Sequence, residues 1–426
     1  MALYLGRVRP GVLRRYAVIA AVAVILAATM WPVSGKEADR WSSCVVCGDR
    51  GTADVLVNIL LFLPFGAALA AAGVPLSRCV LAGALLSAGV EFSQLYLPGR
   101  HPSLGDVVSN TAGSGLGFVL VTTAPGWMLP AGAWATRLSR IAALAAATLC
   151  YITGWLLAPV LPPWPYVARW TPNVARMEWY RGQVRDVTLG DVALPVGPLT
   201  NSAAVRELLL APRGFSLHVR AIAGPRTAAL GGLLAIDDER GRDMLLIGPD
   251  RDDLVFRFRT RAVALHLRLD APDIRLLNAL RSVAPGDTLA ITVQGSRGRY
   301  TMTANASRAD GLGFTVASGW GLLLYPQALP AWFKTLCSVV WLAALWAPAG
   351  FWARTRGDVW IIVGTIALGL LGAPAVTPLC ITPLLQWAGA GIGGFAGVGV
   401  RVSWSRYRAW STSALTKPAM QRSIRE

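Results

Sequence analysis

The sequence predicts an α-helical membrane bundle of about eight transmembrane helices carrying an inserted all-β sandwich domain. Three observations predict it. Of 426 residues, 54% are hydrophobic and only 15% charged, against about a quarter charged in ordinary soluble proteins, so the excess apolar surface belongs in lipid. The apolar residues form long runs toward both ends of the chain. Between them, from about 165 to 328, Arg and Asp recur every few positions, which marks a soluble domain set inside a membrane protein.

Eight stretches are long and apolar enough for a bilayer crossing, which takes about 20 residues of helix. They are 16–33, 55–73, 79–97, 107–124, 141–159, 330–349, 358–376 and 381–400. Pro64 in the second and the many glycines of the last are tolerated where neighbouring helices satisfy the backbone. The chain thus divides into a five-helix bundle (1–160), the inserted domain (165–328), three C-terminal helices (330–402) and a basic tail (403–426). The first apolar run lacks a small-x-small cleavage site and reads as an uncleaved anchor.

A formal net charge of +17 would suit nucleic acid, whose phosphates attract basic faces. The distribution argues against that partner. Basic residues gather beside the apolar runs: Arg7, Arg9, Arg14 and Arg15, then Arg137 and Arg140, Arg354 and Arg356, and finally Arg401, Arg406, Arg408, Lys417, Arg422 and Arg425. Such juxtamembrane clusters report topology. With the N-terminus in the cytoplasm, eight crossings return the C-terminus to the same side and leave residues 160–329 extracytoplasmic, in a multi-pass protein of the inner (plasma) membrane.

The second, third and fourth runs carry polar residues at helical spacing. The second includes Asp54, Asn58, Phe62, Pro64 and Gly66; the third Ser87, Glu91 and Gln94, followed by Arg100 and His101; the fourth Ser103, Asp106, Asn110, Gly113 and Gly117. Asp54 with Asn58, and Asp106 with Asn110, are four residues apart and share a helix face. A carboxylate in hydrocarbon is costly, so Glu91 must face the bundle interior or a wet cavity. At about 1.5 Å rise per residue, Glu91, Asn58 and Asn110 fall at a similar depth below the outer ends of their helices. One outward-opening polar pocket is expected from Asp54, Asn58, Glu91, Gln94, Asp106 and Asn110, with Arg100 and His101 at its rim. Gly66 belongs to the same motif, Gly113 and Gly117 form a small-x-x-x-small pair, and Gly389, Gly393 and Gly397 form a longer one in the last run, as in closely packed helices. The last run loosely echoes the fourth, with Gly391 near the place of Gly113 and the Asp and Asn lost.

The ordered series Asp, Asn, Phe-x-Pro-x-Gly, Glu-x-x-Gln, Arg, Asp and Asn-x-x-Gly over residues 50 to 120 resembles the VanZ-like family, named for a teicoplanin-resistance protein. Many relatives carry a further acid where this chain has Ser103, so a role needing paired acids there does not carry over. Three uses of the pocket stay open: a polar lock that fixes helix packing, a site for an anionic head group or lipid-linked glycan, and acid–base catalysis. No H-E-x-x-H or G-x-S-x-G motif favours the last.

In the inserted domain, period-two runs at Phe215–Arg220, Leu254–Arg259, Leu265–Leu269 and Leu289–Val293 indicate half-buried strands. Turn residues separate them, as in a sandwich or jelly roll. Their order resembles the concanavalin A-like, laminin-G-like sandwiches, which implies binding of a glycan or cell-wall polymer; a structural cap is the alternative. The acids Asp237, Asp238, Glu239, Asp250, Asp252 and Asp253 form no ordered calcium loop, and neither metal nor cofactor is expected. His218 and His266 are read as packing or surface residues. Cys44 and Cys47 favour a local disulfide in an oxidising compartment, while Cys79, Cys150, Cys337 and Cys380 serve packing. The function expected is envelope glycan binding with membrane lipids as further partners. An envelope-modifying enzyme and a scaffold for glycan assembly or export are the alternatives.

Overall fold

The computed structural model describes residues 10–31, 41–46, 48, 50–128, 130–163, 165–173, 177–268, 270–324 and 329–420, with side chains from 14 to 403. The chain separates into two compact units, 1–131 with 265–269, and 132–264 with 270–426.

The first unit is a helical bundle of α1 (Pro10–Thr29), α2 (Gly51–Ala71), α3 (Leu76–Gln94) and α4 (Leu104–Met128). Their sequences are apolar almost all round, as expected where lipid replaces water on the outer face. Leu60, Leu81, Leu85 and Phe92 are exposed, while Ala21, Ile25, Phe62, Phe65 and Val90 form a core between α1, α2 and α3. Glycines bring α2 and α4 into backbone contact. A Cβ at Gly113 would strike the Ile59 carbonyl, one at Gly117 the Leu63 carbonyl, and one at Gly66 the Ser114 carbonyl.

The second unit combines helices and sheets. Its helices are α5 (Gly132–Leu156), the short α6 (Ser202–Leu209) and α7 (Arg261–Ala264), α8 (Ala331–Trp352), α9 (Arg356–Ala367), α10 (Ala373–Val376) and α11 (Leu384–Met420). A wider turn, Leu368–Gly372, joins α9 to α10 into one span. Among the described residues six helices are long and apolar enough to cross a membrane: α2, α3, α4, α5, α8 and Arg356–Val376. The expected count of eight is not reached. The first expected span ends at 32 and 33, outside the described residues, and the glycines of α11 dilute its hydropathy.

Between α5 and α8 the described residues form twelve strands: β1 (Tyr166–Trp170), β2 (Gln183–Leu189), β3 (Val192–Ala193), β4 (Gly197–Leu199), β5 (Phe215–Ile222), β6 (Leu234–Asp238), β7 (Asp243–Asp250), β8 (Asp253–Phe258), β9 (Ile274–Leu276), β10 (Thr288–Ser296), β11 (Arg299–Ala304) and β12 (Ser307–Leu312). They form two six-stranded antiparallel sheets, ordered β4-β1-β6-β7-β8-β9 and β12-β11-β10-β5-β2-β3. Alternation buries one face of β5 and β10, whereas β6 and β7 are buried on both faces: Leu217, Val219 and Ala221 from β5 and Ile291 and Val293 from β10 meet Leu234, Ile236, Ile247 and Phe256 of the other sheet in one core. Of the expected strand Leu265–Leu269, residues 265–268 instead turn after α7, because His266 adopts a left-handed φ of 58°, and Leu269 lies outside the described residues. That segment belongs to the first unit, where the His266 carbonyl accepts the Ala53 N–H at 3.3 Å.

The helices of the second unit repeat the packing of the first. A Cβ at Gly393 would strike the Ala343 carbonyl, one at Gly397 the Ala347 carbonyl, and one at Gly350 the Gly394 carbonyl. At one constant spacing Ile59, Leu63 and Gly66 correspond to Ala343, Ala347 and Gly350; at another, Gly113, Ser114 and Gly117 correspond to Gly393, Gly394 and Gly397. The register also aligns Pro64 with Pro348, and the fully buried Phe62 with the fully buried Trp346. The partner of Gly113 is therefore Gly393 and not Gly391, around which an added Cβ meets nothing. The buried positions of α3, namely Cys79, Gly83, Ser87, Val90, Glu91 and Gln94, recur at identical intervals as Asp358, Ile362, Ile366, Gly369, Leu370 and Ala373.

Candidate functional site

The polar residues of the first unit meet where α4 begins. Ser103 caps that helix, its hydroxyl accepting the Asp106 N–H at 3.1 Å, which satisfies one of the donors every helix start leaves open. A flanking loop satisfies others: the Leu104 N–H donates to the Ser42 carbonyl at 2.9 Å and the Gly105 N–H to the Cys44 carbonyl at 3.2 Å. Cys44 is disulfide-bonded, and Cys47 lies outside the described residues. Asp54 and Asp106 occupy the first turns of α2 and α4, where the helix dipole favours negative charge.

Three helices contribute to the cluster. From α2, the Asn58 amide donates to Asp106 Oδ1 at 2.5 Å. From α3, Glu91, only 2% exposed, accepts the Ser103 N–H at 3.0 Å. One turn deeper in α4, the Asn110 amide donates to the Ser87 hydroxyl at 2.9 Å, while Asn110 Oδ1 is buried with no hydrogen-bond partner among the described residues. An orphaned buried acceptor costs about 1–3 kcal/mol. Asn58 and Asp106 are half-buried and Asp54 is exposed, so the cluster runs from an open carboxylate edge to a closed amide floor.

Two of the expected pocket residues face elsewhere. The Gln94 amide donates to the Thr29 carbonyl at 2.9 Å, and Arg100 donates to the Trp31 carbonyl at 2.9 Å and the Ala28 carbonyl at 3.3 Å. Both bind the open carbonyls at the end of α1, as donors near helix C-termini do. Arg100 is thus turned toward the end of α1. His101 is exposed. What remains toward the open edge is rich in acceptors: Asp54, Asp106 and Glu91 around the Asn58 amide. Ser103 is the member that sequence reasoning set aside; the Ser-x-x-Asp spacing before an apolar run is the signal that marks it as a cap.

In the β-domain the acids once considered for calcium hold arginines instead. Arg242 pairs with Asp238, Arg275 with Asp250 and Asp253, Arg226 with Asp252, and Arg169 with Asp237; Glu239 is exposed. Among the described residues no group of three or more His, Cys, Asp and Glu could hold a metal. His218 bridges the Ser216 and Thr292 hydroxyls on an exposed strand face at 2.9 and 3.0 Å.

No curated protein and no solved structure matches the chain. Residues 16–125 match the VanZ/LLP1 family. That stretch reaches beyond the motif residues to take in α1, and it makes the bundle α1 to α4 the VanZ/LLP1-like part of a membrane protein.

Proposed function

We propose that this protein is a non-catalytic component of the cell envelope, in the inner (plasma) membrane, that binds the sugar part of a lipid-linked or polymeric glycan at the outer end of its N-terminal bundle. One observation carries the reading. The α8–α11 pair makes the same glycine-mediated packing as α2–α4 with Leu342 in place of Asn58, Ala390 in place of Asn110 and, on α9–α10, Leu370 in place of Glu91. Asp106 has a polar counterpart, Gln386, whose amide donates to Thr315; helices can therefore be held in this arrangement without Asn58, Glu91 and Asn110, and a pure packing lock leaves those three unexplained.

The chemistry of the open edge suits a polyol. Carboxylates and an amide oxygen accept hydrogen bonds from hydroxyls, and at this edge Asp54, Asp106 and Glu91 outnumber Arg50, the cation whose charge acts on Asp54. The extracytoplasmic β-sandwich supplies a separate surface for the polymeric part of the glycan, as its resemblance to concanavalin A-like folds suggests.

The test grafts one bundle's residues onto the other. The full chain carrying Asn58→Leu, Glu91→Leu, Asp106→Gln and Asn110→Ala is titrated with a polyprenyl-diphosphate disaccharide and with the sugar-free polyprenyl diphosphate. The unaltered protein should prefer the sugar-bearing form about tenfold, and the graft should fold yet lose that preference. A graft that keeps the preference sinks the binding reading; a graft that unfolds favours the packing lock.

A further inference from the structure

The second unit holds a cavity of about 710 Å³ between the β5 and β10–β11 region of one sheet and the end of the span Arg356–Val376. It is lined by Arg213, Arg297, Arg299, Gln294 and Tyr300 from the sheet side, by Pro374 and Ala375 from the span, and by Thr377 just beyond it. This volume is within the range of small-molecule sites, about 300–1,000 Å³. No acid is among the lining residues. Arg169, Arg220, Arg226, Arg242, Arg257, Arg275 and Arg308 of the same domain are ion-paired. By contrast, among the described residues no hydrogen bond or ion pair engages the side chains of Arg213, Arg297 or Arg299.

Two further features favour a ligand. Arg297 and Gly298 form the two-residue turn between β10 and β11, both left-handed at φ 51° and 77°. Such turns favour Asn-Gly, so an arginine here is a poor choice for the turn and a good one for the cavity it lines. Burial pushes the Tyr300 hydroxyl above the ordinary phenol value, which keeps it a donor. A second, smaller cavity of about 210 Å³ shares Phe215, Ser296, Arg297 and Tyr300 and is otherwise largely apolar, with Pro159, Leu209, Leu210, Phe258 and Pro378. Three cations beside an apolar recess, at the end of a membrane span, match an amphiphile better than a soluble anion.

We propose that Arg213, Arg297 and Arg299 bind the phosphate of an anionic phospholipid headgroup, with the adjoining apolar recess taking the start of its chains. This site is independent of the polar cluster in the N-terminal bundle. The test uses the full chain in mild detergent, with bound lipid read by native mass spectrometry. Phosphatidylglycerol is compared with phosphatidylcholine of the same chains, and glycerol phosphate is the soluble arm.

Phosphatidylglycerol should be retained at least tenfold better than phosphatidylcholine, and Arg213→Ser with Arg297→Asn and Arg299→Ser should erase the difference. At roughly a fivefold effect per arginine near a lipid surface, three account for about a hundredfold. Arg297→Asn suits the turn, so stability should hold or rise while retention falls; Arg220→Ser is the paired control and should change nothing. In the unaltered protein, raising salt should weaken phosphatidylglycerol retention and leave phosphatidylcholine unchanged. Unchanged lipid preference in the triple variant overturns the proposal, as does salt independence. Displacement by equimolar glycerol phosphate assigns the site to a soluble phosphate and overturns the lipid. The four-residue graft in the N-terminal bundle should leave this preference intact, so the two proposals fail separately.

Discussion

The α2–α4 and α8–α11 pairs are solutions to one packing problem with different residues left inside. Both seat glycines on the carbonyls of the facing helix and both keep Pro-x-Gly, at Pro64 to Gly66 and Pro348 to Gly350. They part at the level of Asn58 and Asn110, where the second pair has Leu342 and Ala390, each fully buried. The shared positions are those where a side chain would collide with backbone, so they report helix approach. The differing positions are those where polar groups are costly in an apolar interior, so they report something other than approach.

The comparison breaks most visibly at the glycines. Gly113→Leu and Gly393→Leu should each cost about 3 kcal/mol by overpacking, read as loss of helicity in a denaturant titration; a large effect in one pair and none in the other would mean that the packing is not equivalent. Next in size, Leu342→Asn should cost about 2 kcal/mol, since an amide placed there enters a fully buried apolar position. A neutral result would show that the second pair has its own wet interior. Asn58→Ala breaks the bond to Asp106 and should cost about 1 kcal/mol; a loss of 3 kcal/mol or more would restore the packing lock.

A pH profile separates the sheets from the helices. Burial and the neighbouring Asp243 push Asp237 up to about 7, although Arg169 pairs with it. Because the folded state holds this proton more tightly than the unfolded chain, stability from this group is full below about pH 4 and is lost as pH rises toward 7. Against the cost of burial, hydrogen bonds from Arg242 hold Asp238 below the ordinary carboxylate value, and the charges of Arg257 and Arg275 do the same for Asp273. Those two act in the opposite sense, losing stability on acidification below about pH 4. Thermal unfolding of the full chain, followed by near-ultraviolet dichroism, should show a β-domain transition about 3 kcal/mol less stable at pH 8 than at pH 5, flattened by Asp237→Asn.

Much of the bundle could be read in advance because lipid imposes simple rules. Long apolar runs became α2 to α5, α8 and the Arg356–Val376 span, and alternation at Phe215 and Leu289 became β5 and β10. Partners were harder. Arg100 and Gln94 sit in a motif beside Glu91, yet both reach back to α1, since open carbonyls at a helix end attract donors wherever the sequence places them. The alternation at Leu265–Leu269 misled because His266 turns the chain with a left-handed φ. The equivalence of Gly113 with Gly393 needed the facing helices, as small residues alone fix no register.

The insertion of twelve strands between α5 and α8 bears on the order of assembly. In the N-terminal bundle each helix meets one made shortly before it, so the bundle can form while synthesis continues. α5 must instead wait for the whole sheet-forming segment before α8 and α9 arrive, and such long-range closures are slow. A defect in the sheets should therefore leave the first four helices assembled and α5 stranded without its mates, open to capture by quality-control proteases.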